Sequence, residues 1–189
     1  MEAFVISFGI IFVAELGDKS QLMALTFAAR YRAVTILAAI TGATAFVHLL
    51  SVLFGAAVGV ALPTRLISVL AGLAFLGFAA WTLRGDQLGE DDHARAQRTQ
   101  RSVLWTVALA FLLAELGDKT MLATVTLATT HGLFGTWVGS TLGMVAADGL
   151  AIVAGQQLGE RLPERAVKVG AAITFVIFGV ILITGGISG

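Results

Sequence analysis

Apolar residues fill six stretches of this chain, at about 4–28, 33–60, 66–83, 102–128, 134–158 and 169–187, with short polar breaks between them. Each is near the roughly 20 residues a helix needs to cross a bilayer, so the pattern predicts an all-α, polytopic membrane protein with six transmembrane helices. The long polar stretch at 84–101 holds Asp86, Glu90, Asp91, Asp92, His93, Arg95 and Arg98 and reads as a solvated, charged linker. It separates a first three-helix repeat, 1–83, from a second, 102–189. No positive n-region or cleavage-like site accompanies the first apolar stretch, so that stretch is expected to remain a true span.

The two halves repeat one another at an offset of one hundred residues. Glu15-Leu16-Gly17-Asp18-Lys19-Ser20 returns as Glu115-Leu116-Gly117-Asp118-Lys119-Thr120, and Leu22, Thr26, Gly55 and Gly59 fall on Leu122, Thr126, Gly155 and Gly159. Without a gap, Leu62-Pro63 and Arg65 then fall on Leu162-Pro163 and Arg165, and Phe75 and Phe78 on Phe175 and Phe178. Composition alone does not produce an ungapped register linking motif, glycines and proline. A repeat of three spans enters the membrane from opposite sides in its two copies, so the halves are expected to form an inverted repeat.

Charge placement orients this layout. Arg30, Arg32, Arg84, Arg95, Arg98, Arg101, Arg161, Arg165 and Lys168 lie on one predicted side, and only Arg65 on the other. The positive-inside rule makes the first side cytoplasmic and puts both termini outside. Composition agrees: 57% of residues are hydrophobic, 13% charged, and the mean hydropathy is +0.90. A zero net charge with no basic block argues against a nucleic-acid partner, and the absence of cysteine excludes disulfides, thiolate metal sites and thiol catalysis.

Six charges within apolar spans are costly, roughly 2.5 to 3.5 kcal/mol each near the bilayer centre, so something must compensate them. On continuous helices Glu15, Asp18 and Lys19 would share neighbouring parts of one face, with Glu115, Asp118 and Lys119 repeating it from the other half. Together Glu15, Asp18, Glu115 and Asp118 make a candidate metal site of four carboxylates, reduced by two lysines to a net charge of about minus two. Ser20 and Thr120 add hydroxyl oxygens, and the oxygen-rich set suits a hard divalent cation such as Ca²⁺ or Mn²⁺. The structural alternative pairs each lysine with an acid merely to lock helices together; it leaves one carboxylate unpaired in each copy. Metal and proton compete for such buried acids, which is the minimum requirement for cation/proton antiport.

Asp148 and His48 stand at equivalent mid-span positions and are candidates for metal or proton handling, against the plainer reading of helix-to-helix hydrogen bonding. Gln21, Gln156, Gln157, Thr41, Thr44, Thr126 and Thr141 line a polar path or bond between helices. Trp81, Trp105 and Trp137 read as interfacial anchors, and His93 and His131 as solvated loop residues. There is no phosphate-binding loop, serine nucleophile motif or HExxH sequence, so neither an enzyme nor a resident cofactor is expected. A divalent cation channel, a cationic amino-acid exporter and a non-transporting membrane subunit are the rival readings.

With two intact copies of Glu-x-Gly-Asp followed by Lys or Arg and then Ser or Thr, the whole chain resembles uncharacterised protein family sixteen, the GDT-type Ca²⁺ and Mn²⁺ transporters. The resemblance implies a cation/proton exchanger that moves Mn²⁺, Ca²⁺ or both out of the cytosol, with Glu15, Asp18, Glu115 and Asp118 as ligands. Lys19, Lys119, Ser20, Thr120 and Gln21 support them, and the partners are divalent ions, protons and the bilayer. A homo-oligomer is compatible with the sequence. Compared with eukaryotic relatives that carry a targeting extension, the chain looks like a bacterial plasma-membrane member, with a lean towards Mn²⁺.

Overall fold

The computed structural model describes residues 1–28, 31–84, 103–158 and 164–188, and every described element is helical. Among the described residues eight helices follow in order: α1 (Glu2–Glu15), α2 (Lys19–Ala28), α3 (Ala33–Ala61), α4 (Thr64–Arg84), α5 (Val103–Glu115), α6 (Lys119–Thr130), α7 (Leu133–Leu158) and α8 (Glu164–Ser188). The linker expected at 84–101 lies outside the described residues beyond Arg84, as do Arg30 and Arg161.

Ala33–Gly59, Arg65–Arg84 and Leu133–Val153 are long and apolar enough to cross a membrane, and Val103–Glu115 and Ala172–Ser188 are shorter apolar helices. Burial is arranged as a bilayer requires. Glu15, Asp18, Asp118, Asp148 and His48 are inside, whereas Phe54, Leu73, Leu109, Ile177 and Ile181 face outward. With lipid as the solvent, apolar side chains gain nothing by leaving it, and polar groups must find partners within the bundle.

The expected first and fourth helices are each broken in two at the motif. Leu16, after α1, adopts extended angles (φ −60°, ψ 121°), and Gly17 and Gly117 have φ of 75° and 80°, the positive values that glycine alone accepts cheaply. At about 1.5 Å per residue the 14-residue α1 covers only about 21 Å, so it takes α1 and α2 together to cross a hydrocarbon core of about 30 Å. Glu15 and Asp18 therefore do not share a helix face, contrary to the expectation from spacing. Glu15 ends one half-helix and Asp18 precedes the next.

Two apolar clusters flank these breaks. Met23, Phe27, Ile36, Ile40 and Phe111 gather α2, α3 and α5, while Ile11, Phe75, Leu127, Met144 and Phe175 gather α1, α4, α6, α7 and α8. Several contacts join equivalent positions of the halves. The Phe75 and Phe175 rings are 5.8 Å apart, the Phe75–Phe178 contact (5.0 Å) is matched by Phe78–Phe175 (6.0 Å), and Thr44 Oγ1 donates to Met144 Sδ at 3.3 Å.

Equivalent seams are not equally tight. Phe4, Phe8 and Phe12 stack along α1 and press on Gly139 and Gly143 of α7 so closely that an added Cβ would lie 2.5 Å from the Phe4 carbonyl oxygen and 2.6 Å from that of Phe8. The corresponding seam between α3 and α5 holds a cavity of about 430 Å³, lined by Ala39, Gly42, Ala43, Leu104, Ala108 and Leu112 among others.

Candidate cation site at the two helix breaks

A helix ending in mid-bundle leaves carbonyl oxygens at its C-terminus and N–H groups at the next N-terminus without intrahelical partners. The motif supplies partners locally. Asp18 N and Asp118 N donate to Glu15 O and Glu115 O, each at 3.1 Å, and Asp118 caps α6 by accepting from Thr120 N at 3.5 Å. Gly17 N donates to Gln21 Oε1 at 2.7 Å, and the Gln21 amide donates onward to Ala147 O of α7 at 3.0 Å. Gln21 thus ties the first break to the opposite half. At the second break Gly117 N meets Met121 Sδ at 3.1 Å instead.

The hydroxyl of each motif reaches back to its glutamate. Ser20 Oγ donates to Glu15 Oε1, and Thr120 Oγ1 donates to Glu115 Oε2 at 2.8 Å. The second oxygens, Glu15 Oε2 and Glu115 Oε1, have no hydrogen-bond partner among the described residues. All four predicted acids are buried, between 0% and 2% exposed, which removes the solvent screening that separates charges at a surface.

The acids act on one another electrostatically across the halves. Glu15 interacts with Glu115, Asp18 and Asp148, and Glu115 with Asp118, Asp18 and Asp148. Asp148 is the fifth acid; it is fully buried on α7, and neither oxygen is hydrogen-bonded among the described residues. Lys119 answers part of this charge from across the repeat, its Nζ lying 2.9 Å from Asp18 Oδ1. The Lys19 side chain lies outside what the structure describes. No group of three or more Asp, Glu or His side chains among the described residues is gathered closely enough to hold a metal ion.

His48, equivalent to Asp148, is buried, and its Nδ1 finds no hydrogen-bond partner among the described residues. His131 lies in a loop, between α6 and α7, as expected, but is not fully solvated there. His131 is half-buried, bonded to Thr130 Oγ1 at 2.7 Å and stacked on Phe178. Trp137 donates to Ala45 O at 2.8 Å, adding a tie between α7 and α3 to its expected place near a helix end. What sequence reasoning missed is the crossed Lys119–Asp18 pair. Its signal was the count of two acids per lysine in each motif, which leaves the partner open.

Comparison with known proteins adds a family to this geometry. The model of the divalent cation/proton antiporter GDT1 family matches residues 3–90 and 103–189. A Vibrio cholerae protein described as an inferred manganese exporter is 32% identical over 180 residues, covering 94% of this chain and 88% of that one. A GDT1-like protein of Synechocystis is 29% identical, covering 96% of each chain, and the divalent cation/proton antiporter GDT1 of Saccharomyces cerevisiae is 23% identical, covering 97% of this chain and 84% of its own. No solved structure matches. With the family model aligned over nearly the whole length, this chain belongs to the GDT1 family of divalent cation/proton antiporters, and is a membrane transport protein, not an enzyme.

Proposed function

We propose that this protein exports a divalent cation, Mn²⁺ foremost and Ca²⁺ second, from the cytosol in exchange for protons, and that Glu15, Asp18, Glu115 and Asp118 hold the ion. The observation that carries this reading is the burial of those four acids at two helix breaks, with Glu15 and Glu115 interacting electrostatically across the halves. Half-helix C-termini aim partial negative charge at such a point, and broken helices meeting near the midplane are how secondary transporters build ion sites. Hard oxygen donors suit both cations; the name of the Vibrio relative favours Mn²⁺.

Two inverted three-span repeats, 1–83 and 102–189 with 84–101 as a cytoplasmic linker, are the proposed architecture. The contacts between equivalent residues fit a twofold axis through Thr44, Met144, Phe75 and Phe175, and the family model aligns to two stretches that follow the same division. Both termini lie outside, and the membrane is a bacterial plasma membrane. The cation enters from the cytoplasm and draws the acids together with the Ser20 and Thr120 hydroxyls. The repeats then rearrange, and protons arriving on the other side neutralise the carboxylates and release the ion. Asp148 serves as an outer ligand or proton carrier; His48 stays outside the ligand set.

Purified protein in liposomes, with Mn²⁺ and Ca²⁺ flux and lumenal pH followed together, tests the reading. Metal movement coupled to opposite proton movement is expected. Metal flux indifferent to a pH gradient would mean a channel, and no flux of either ion would return the acids to a structural role. In the same assay Glu15→Gln and Asp118→Asn are each expected to lose most transport while remaining folded by thermal melt; near wild-type flux in both would remove these acids from the site.

A further inference from the structure

Lys119 opens α6, where the helix dipole presents partial positive charge, so an ammonium there is electrostatically disfavoured. It is also buried, its side chain 4% exposed against a fully buried Asp18. A lysine in so poor a place is held by its surroundings. Besides the 2.9 Å pair with Asp18, the ammonium interacts with Glu15 and Asp118, three of the four acids proposed to bind the cargo.

We propose that Lys119 is the resident counter-ion of the transport site: its ammonium holds Asp18 of the opposite motif when cargo is absent, and the incoming divalent cation must displace it. The inference rests on the transport reading above and adds a tethered competitor to it. A tethered charge competes at high effective concentration without ever diffusing away. It lowers the apparent affinity for the ion, and it offers Asp18 a replacement cation at the moment of release, when two positive charges leave a buried, acidic site. The four-carbon stem lets the ammonium retreat toward Asp118, one residue before it in the chain. Because the pair joins α6 to the residue preceding α2, displacement also frees one tie between the halves.

A purely structural lock predicts differently. Removing one partner of such a lock leaves a buried acid uncompensated, so stability and metal binding would fall together. The discriminating experiment is Mn²⁺ titration of the purified protein by calorimetry, with Mn²⁺ flux in liposomes, for the wild type, Lys119→Gln and Lys119→Arg. Loss of the competitor in K119Q is expected to lower the dissociation constant and KM by about tenfold or more, with kcat falling as release slows. Guanidinium grips a carboxylate more firmly and never gives up its charge, so K119R is expected to bind Mn²⁺ several-fold more weakly than wild type. Unchanged or weaker binding in K119Q, or wild-type binding in K119R, would overturn the tether. If K119Q does not fold, K119R decides by itself. A wild type that neither binds nor moves Mn²⁺ would sink the transport reading and this inference with it, whereas an active wild type whose variants lack these opposite shifts would sink the inference alone.

Discussion

Asp148 sits where two demands conflict, since a buried carboxylate wants hydrogen bonds and its two oxygens have none among the described residues. Its interactions with Asp18, Glu15 and Glu115 are those of like charges, so the native fold gains nothing from its ionised form. Asp148→Asn keeps the shape and removes one repulsive charge. The expected outcome is an unchanged or higher melting temperature with Mn²⁺ affinity several-fold weaker, read by titration and thermal melt on the same sample. A lower melting temperature with unchanged affinity would make Asp148 a structural residue. At this scale the sequence was informative: acids in apolar stretches stand out one by one, and the structure buries all five. Which lysine meets which aspartate was not legible, because Lys119 and Asp18 belong to different motif copies and only tertiary packing brings them into contact.

Apolar runs predicted the extent of α3, α4, α7 and α8 well but hid the breaks before α2 and α6. Hydropathy averages over windows far longer than Leu16-Gly17-Asp18, so an interruption of one turn leaves the apolar run intact. The legible clue was a glycine beside charges in the middle of each run, a residue that suits either a chain break or a close helix approach. Glycine does serve both ends in this molecule, and the two uses respond differently to substitution. Gly117 has φ of 80° and open space where a Cβ would go, so Gly117→Ala carries only the conformational penalty and is expected to lower stability by about 1 kcal/mol. Gly77, within α4 and equally unhindered, is the control: Gly77→Ala is expected to leave stability unchanged or raise it by up to about 1 kcal/mol. Gly139→Ala meets rigid backbone at Phe4 and is expected to cost more than Gly117→Ala by loosening α1 from α7. Denaturation midpoints of the three variants in one detergent would check the order; equal midpoints for Gly117→Ala and Gly139→Ala would refute it.

For the molecule as a whole, the hundred-residue offset led to an expectation of equivalent halves, yet the seams differ in closeness. The reason is legible once paired positions are compared: the α1 backbone at Phe4, Phe8 and Phe12 meets glycines at 135, 139 and 143, while the counterparts Leu104, Ala108 and Leu112 line the cavity with Ala39 and Ala43, the equivalents of Gly139 and Gly143. Glycine lets the two backbones of α1 and α7 approach closely, whereas the alanine methyl groups at 39 and 43 keep α3 and α5 further apart and leave the cavity observed. Such inequality matters for a transporter only when each seam is assigned to a side of the membrane. In the orientation proposed from the arginine distribution, the tight seam of α1 and α7 would face outward and the loose one of α3 and α5 the cytoplasm. The chain has no native cysteine, so single cysteines test this cleanly. Leu62→Cys, between α3 and α4, and Gly132→Cys, between α6 and α7, are expected to react with a membrane-impermeant maleimide on intact cells, and Arg32→Cys only after permeabilisation. The opposite pattern would turn the molecule over, placing the tight seam inside and the loose one outside; labelling of all three from outside would deny that α3 crosses the membrane.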